Sequence, residues 1–345
     1  MSSISKPNKI KVWLAELRLP FLTASILPIL LGSVMAWALN GIFFWGLFLL
    51  ILAFGVCTQL ASNLFNDYFD SRSGADEANV EFVPPFTGGS RIIQEELLKR
   101  REVFIGGTIF LTIAVFIILY LTVICGWIIF ILGVMGLIIG ITYTAPPLKL
   151  SYRGLGEIAI GISFGPLPLL AAYYVQTQTI IWELIFMSFL PAFLIVLVVV
   201  INAFPDYQGD KDAGKRTLVV RMGRKTAAKL YVILLAFPYA FVVITVILGV
   251  MSWYALIALS TIPLGLLCAK ITLTSYDDSK KIAPACAATI MNHLITILTL
   301  IIAYILLGFL VHYIVVIIVG LLIFGLVIII TRKLIMLGKA GADAA

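Results

Sequence analysis

Two short runs in this sequence gather carboxylates and amides where an apolar stretch ends. The first is Asn63-Leu-Phe-Asn66-Asp67-Tyr-Phe-Asp70, with Asp76 beyond it; the second is Asn202-Ala-Phe-Pro-Asp206-Tyr-Gln-Gly-Asp210, with Asp212 beyond it. In helical spacing Asn63, Asp67 and Asp70 stand at i, i+4 and i+7, and Asn202, Asp206 and Asp210 at i, i+4 and i+8, so each set is expected to share one helix face. Two such faces opposed across a bundle form a cage of hard oxygens suited to Mg2+. That ion takes a few carboxylates, keeps some waters and completes its octahedron with phosphate oxygens of a substrate. A single acid at a helix end is ordinarily just solvated. Two matched clusters are different, because carboxylates beside hydrocarbon are costly and mark functional sites, and several on one side repel one another unless cations sit between them.

Basic residues that could neutralise an anionic substrate lie in the same loops. Arg91 closes the run Phe86-Thr-Gly-Gly-Ser-Arg91, Lys149 and Arg153 lie in Tyr143-Thr-Ala-Pro-Pro-Leu-Lys149-Leu-Ser-Tyr-Arg153, and Lys211, Lys215 and Arg216 follow the second acidic run. Such side chains offset charge that develops on phosphate oxygens as an ester bond breaks. The competing reading of each is an ordinary loop cation that orients the chain in a membrane; for Lys149, Pro146 and Pro147 stiffen the turn that presents it and favour a functional role. The Gly-rich run could wrap an anion with backbone N–H groups. It matches neither a Walker loop nor a dinucleotide fingerprint, which argues against ATP and NAD. Only His293 and His312 are present, far apart, so a zinc site or a Ser/His/Asp triad finds no support. The four cysteines have no C-x-x-C spacing and read as small core residues.

What must position these residues is a bundle of membrane helices. Of 345 residues, 62% are apolar and 12% charged, with a mean hydropathy of +1.12; a soluble domain cannot bury that much apolar surface. The composition implies an all-α polytopic bundle. Ten apolar runs are long enough to span, near 19–39, 42–64, 103–122, 124–142, 155–175, 180–202, 228–250, 252–272, 289–308 and 311–331. All 24 Lys and Arg residues fall in the segments 1–18, 65–102, 143–154, 203–229, 270–288 and 332–345. The turns between those segments carry none, the alternation expected when basic loops stay cytoplasmic. Both termini are therefore expected inside, with the acidic clusters at the cytoplasmic face of a multi-pass protein of the cell (plasma) membrane. The net charge of +7 is explained by orientation and gives no reason to expect nucleic acid. Residues 1–18 read as a cytoplasmic N-terminal segment whose following run is a retained span, 19–308 as the catalytic helical domain, 309–331 as an extra span and 332–345 as a cytoplasmic tail. The long loops at 65–102 and 203–229 are where chemistry is expected.

In the order Asn66-Asp67-Tyr-Phe-Asp70 with Gly74 and Asp76, Ile141-Thr-Tyr143-Thr, Gly154-Leu-Gly156-Glu157, and Asp206 to Asp210 with Gly214, Thr217, Arg221 and Gly223, the motifs resemble the UbiA superfamily of intramembrane prenyltransferases. The stretches Phe86-Thr-Gly-Gly-Ser-Arg-x-x-Gln94 and Thr217-Leu-Val-Val-Arg221-Met-Gly223 look most like its 1,4-dihydroxy-2-naphthoate polyprenyltransferase branch. The resemblance implies a bundle of usually nine spans with a cavity open to the cytoplasmic side, so a tenth at 311–331 is expected to affect packing or partners and not chemistry. It further implies Mg2+ held by Asp67, Asp70, Asp76, Asp206 and Asp210 and gripping the diphosphate of a polyprenyl donor. Lys149 would join the four aspartates Asp67, Asp70, Asp206 and Asp210 as a catalytic residue, Asn63, Asn66, Asn202, Arg91, Tyr143, Arg153, Lys211 and Arg216 would line the substrate site, and an aromatic such as Tyr143, Phe65, Tyr68 or Tyr152 would face an allylic cation. An aromatic acceptor would attack that cation, losing its carboxyl group as CO2 if it is the naphthoate.

A carrier is the rival class, but it predicts ionisable residues at mid-membrane, whereas here acids sit at span ends. Acceptors such as 4-hydroxybenzoate, homogentisate, a porphyrin or a glyceryl phosphate lipid would suit the same motifs. Donor chain length and oligomeric state have no signature in the sequence.

Overall fold

The computed structural model describes residues 8–74, 79, 82–84 and 87–343, with side chains up to 336. Asp76, an expected metal ligand, lies outside the described residues. Among the described residues every regular element is a helix. Helix α1 (Lys9–Glu16) and a 3-10 turn (Leu19–Leu22) lead into α2 (Thr23–Asn40), followed by α3 (Trp45–Ser73), α4 (Arg100–Cys125), α5 (Trp127–Thr142), α6 (Gly156–Phe164), α7 (Pro166–Thr177) and α8 (Trp182–Asn202). Two short helices, α9 (Tyr207–Asp212) and α10 (Leu218–Met222), precede α11 (Arg224–Ile247). A 3-10 segment (Trp253–Thr261) continues into α12 (Ile262–Ser275), and α13 (Ala283–Gly308) and α14 (Tyr313–Asp343) complete the chain.

Nine helical segments among the described residues are long and apolar enough to cross a membrane, with α6 and α7 counted together. One of the ten expected spans, 124–142, is the shorter apolar helix α5, of 16 residues. At 1.5 Å per residue it is about 24 Å long, short of a hydrocarbon core of roughly 30 Å. The run 155–175 is broken between α6 and α7 because Pro166 and Pro168 carry no N–H for the carbonyls four residues earlier.

Helix α3 packs along α4, α2 is held between α7 and α13, and α6 lies against α8. One apolar core, including Leu31, Tyr173, Leu190 and Tyr304, joins α2, α7, α8 and α13; a second, including Ile51, Ile118 and Ile129, joins α3, α4 and α5. Large apolar side chains on α4 and α14 face outward, among them Phe116, Leu321 and Leu322, as lipid contact demands. Trp45, Trp127 and Trp182, each at the start of a helix following an uncharged turn, are also exposed, consistent with an aromatic interface belt. Of the described side chains of α14 only Val316 and Val327 are buried, so this helix leans on the bundle through its contacts with the 3-10 segment and α12 and lines no part of the central cavity.

The acids expected near span ends have structural partners. Glu183 accepts from Tyr304 Oη at 2.6 Å and from the Ser252 N–H at 3.1 Å, and Glu157 accepts from the Leu218 N–H at 2.6 Å. Each carboxylate ties one helix start to a distant turn, which leaves the carrier reading without a mid-membrane charge among these two.

Candidate functional site

Helices α2, α3, α5, α6, α7 and α8 enclose a cavity of about 290 Å3. Its depth is apolar, lined by Ile29, Ile51, Phe54, Leu132 and Leu167, whereas Arg18, Asn63, Asn66, Tyr143 and Asn202 gather at one end. That end is the one where α3 and α8 terminate in the acidic clusters.

On α3 the expected spacing holds: Asn63, Asp67 and Asp70 lie within one continuous helix. Asp67 is buried and pairs with Arg18, which the start of the chain brings to it through a left-handed backbone at φ 52°. Asn63 donates to the Leu17 carbonyl at 3.2 Å, anchoring the same segment. Asp70, also buried, accepts from Tyr152 Oη at 3.1 Å and pairs with Lys215 at 3.1 Å.

The second cluster departs from expectation. Helix α8 ends at Asn202, a turn carries Pro205, and Asp206 stands just before the separate helix α9 that bears Asp210. The i, i+4, i+8 face is thus broken, since Pro205 has no N–H to continue the ladder. Asp206 Oδ1 accepts from Asn79 Nδ2 at 2.6 Å. Asn79 comes this close because Gly209 has no side chain: a Cβ there would lie 2.7 Å from Asn79 Cβ. The Asn79 carbonyl in turn accepts from Arg91 at 3.2 Å. The Gly-rich run therefore meets an acid: burial raises the Asp206 pKa, while Asn79, the Thr87 hydroxyl and the Gly88 N–H counter that rise.

Other expected cations are spread out. Lys149 sits with its ammonium 5.0 Å from the centre of the Tyr152 ring, Arg153 is exposed and donates to the Pro147 carbonyl at 2.9 Å, and Lys211 and Arg216 are exposed. Arg18 and Asn79 take places at the site that loop composition does not single out, Tyr152, one of the expected aromatics, reaches Asp70 through its hydroxyl, and Lys215 stands where its neighbours are expected. Its inward course starts at Gly214, whose φ of +75° turns the chain back after α9; an Asp-x-x-x-Gly-Lys run was the available signal.

No group of three or more His, Cys, Asp or Glu side chains forms a close cluster among the described residues; instead Asp67 pairs with Arg18, Asp70 with Lys215, and Asp206 accepts from Asn79. Even so the donor set fits Mg2+. Asp67 Oδ2, Asn66 Oδ1 and Asn202 Oδ1 are buried oxygens with no hydrogen-bond partner among the described residues, a costly state unless a ligand uses them. Mg2+ itself is satisfied with one or two carboxylates, waters and substrate phosphates.

Charge at the site is tuned by burial. Desolvation is the largest influence on Asp210 and, with Asp206, Asp70 and Glu157 adding to it against Lys215, raises its pKa to about 7. Burial and then Asp70 push the Tyr152 phenol up to about 12, so it remains a hydrogen-bond donor. Burial also raises the Tyr143 phenol, which stays neutral at the cavity mouth.

The sequence profile of the UbiA prenyltransferase family matches residues 25–287. A 1,4-dihydroxy-2-naphthoate octaprenyltransferase of Bacillus subtilis is 31% identical over 70% of this chain and 76% of that one. A 2-carboxy-1,4-naphthoquinone phytyltransferase of Synechocystis is 29% identical over 74% of this chain and 81% of its own. Among solved structures, a UbiA homolog from Archaeoglobus fulgidus bound to DMAPP and Mg2+ superposes with a TM-score of 0.55 at 16% identity, covering 84% of this chain and 98% of that one. That likeness concerns the fold. With the profile spanning most of the membrane helices and curated relatives aligned along most of both chains, this chain belongs to the UbiA prenyltransferase family.

Proposed function

We propose that the chain transfers a polyprenyl group from its diphosphate to 1,4-dihydroxy-2-naphthoate in menaquinone biosynthesis, using Mg2+ at the acidic clusters. The observation that carries this is the joining of buried, partly unsatisfied acidic and amide oxygens to the mouth of an apolar cavity inside a membrane bundle. A molecule with a multiply charged diphosphate head and a hydrocarbon tail matches both ends at once. The names of the curated relatives favour the naphthoate acceptor.

Asp67, Asp70, Asp206 and Asp210 would hold the metal, together with Asn66 and Asn202 directly or through water. Bound Mg2+ supplies charge stabilisation to the departing diphosphate. Arg91 and Lys149 add positive charge at the rim, and Arg153, Lys211 and Arg216 draw the anion from solution. The allylic C–O bond breaks with its electron pair leaving on the diphosphate. The Tyr143 ring stands at the mouth, where its π face can steady the allylic cation, and the apolar walls below keep water from trapping it. The acceptor ring carbon attacks, and its carboxyl group leaves as CO2, restoring the aromatic ring. The charge census supports a mouth that opens to the cytoplasm, with both termini on that side of the plasma membrane.

The test is incubation of the purified protein with Mg2+, a mixture of prenyl diphosphates and a panel of aromatic and lipid acceptors, followed by mass spectrometry. A prenylated, decarboxylated naphthoate is expected; a product prenylated on oxygen of a glyceryl phosphate instead would reassign the acceptor.

A pH dependence follows from Asp210. Its raised pKa of about 7 means the metal-free site binds a proton that Mg2+ must displace. Below that pH the proton competes and affinity falls; above it the carboxylate is free and affinity levels off. Between pH 8 and pH 6 the apparent Mg2+ affinity should drop about tenfold for one displaced proton, as measured by titration calorimetry, and Asp210→Asn should flatten the profile.

A further inference from the structure

The two acidic clusters come from distant parts of the chain, and one side chain touches both. Lys215 Nζ lies 3.1 Å from Asp70 Oδ2 and 3.9 Å from Asp210 Oδ1, and its side chain is only 16% exposed. Its surroundings hold it there. The Lys215 N–H donates to the Asp210 carbonyl at 2.8 Å, and Glu157 pins the far end of the same turn through the Leu218 N–H at 2.6 Å. The Tyr152 ring centre lies 5.5 Å from the ammonium while its hydroxyl donates to Asp70.

We infer that Lys215 is a positioning residue, an internal counter-ion that holds Asp70 and Asp210 in register and whose place a divalent cation must take. The inference rests on reading the clusters as a metal site. Its physical basis is that one ammonium answers two buried carboxylates, and leaving either unpaired is costly. A lysine suits the role because its charge is compact and its stem flexible, so it can yield the carboxylates and turn to phosphate oxygens. An arginine, with a planar fork, would hold the pair more rigidly. Removing the ammonium therefore weakens the metal-free protein and at the same time removes a competitor for Mg2+, two effects of opposite sign that a merely structural lysine would not produce together.

The experiment compares the full-length wild type with K215M, K215Q and K215R in lipid nanodiscs without any diphosphate. Mn2+ binding is followed by electron paramagnetic resonance, and thermal unfolding is recorded with and without Mg2+. K215M should bind Mn2+ about tenfold more tightly than wild type, a coupling of ordinary size between two linked ligands. It should also unfold at a lower temperature without metal and recover the wild-type Tm in Mg2+. K215R should keep the metal-free Tm and bind Mn2+ no more tightly than wild type. If K215M fails to fold, K215Q, which keeps polarity without charge, carries the same comparison. Equal Mn2+ affinity in wild type and the neutral variant overturns the role of Lys215 alone, whereas a wild type that binds no Mn2+ sinks the metal site and the inference together.

Discussion

Asp67→Asn and Asp206→Asn should each lower prenyl transfer by roughly 10^3-fold or more at saturating Mg2+, an effect at least as large as removal of one preorganised group that stabilises transition-state charge. Both substitutions keep the shape of the side chain and remove only its charge. At Asp67 the amide oxygen can still accept from Arg18, which pairs with the carboxylate; at Asp206 it can still accept from Asn79 Nδ2. The fold should therefore survive, as checked by thermal unfolding and by a monodisperse profile in detergent. What is lost is the negative charge that would draw a divalent cation to each side of the site. The two variants probe the two clusters separately, one on continuous helix α3 and the other just before α9. Near-normal turnover in both would remove the metal-binding role from the clusters.

How the acids came to be legible, and their partners not, is a matter of distance along the chain. Asn63, Asp67 and Asp70 are neighbours on one helix, so spacing alone was enough to group them. The period of the second cluster fails because Pro205 follows the end of α8 within it and outweighs the apparent spacing. The pairing of Arg18 with Asp67 spans 49 residues and is created by how the start of the chain crosses α3, which no local pattern encodes. Lys211, Lys215 and Arg216 are nearly equivalent as sequence, and only the left-handed turn at Gly214 decides that Lys215 points inward while the others face water. The spans were legible for the opposite reason: burying some twenty apolar residues in lipid is a strong signal repeated many times. Helix α5 is the exception, an apolar run whose helix, at 16 residues, is shorter than the others.

That short helix carries the other large expected effect. Gly133, Gly136 and Gly140 line the cavity on one face of α5, yet their surroundings differ. A Cβ at Gly133 would lie 2.3 Å from Ile118, and one at Gly140 would lie 2.5 Å from Ser62 Oγ, so side chains there press on packed neighbours. A Cβ at Gly136 would meet only Leu167, at 3.9 Å, an ordinary contact. A larger residue at 136 thus points into cavity space without displacing backbone, and it removes a glycine from a helix interior, which favours the helix by up to about 1 kcal/mol. Gly136 lies seven residues from Tyr143, about 10 Å down the helix axis, deeper than the charged mouth. Gly136→Leu should therefore leave metal binding and transfer from dimethylallyl diphosphate nearly intact while cutting transfer from long polyprenyl donors by at least tenfold, the loss corresponding to about 1.4 kcal/mol of transition-state binding. Gly133→Leu should instead lower the Tm and depress transfer from every donor alike. Steady-state kinetics with a ladder of donor lengths separates the two results, and equal losses for short and long donors in Gly136→Leu would show that the tail does not occupy this part of the cavity.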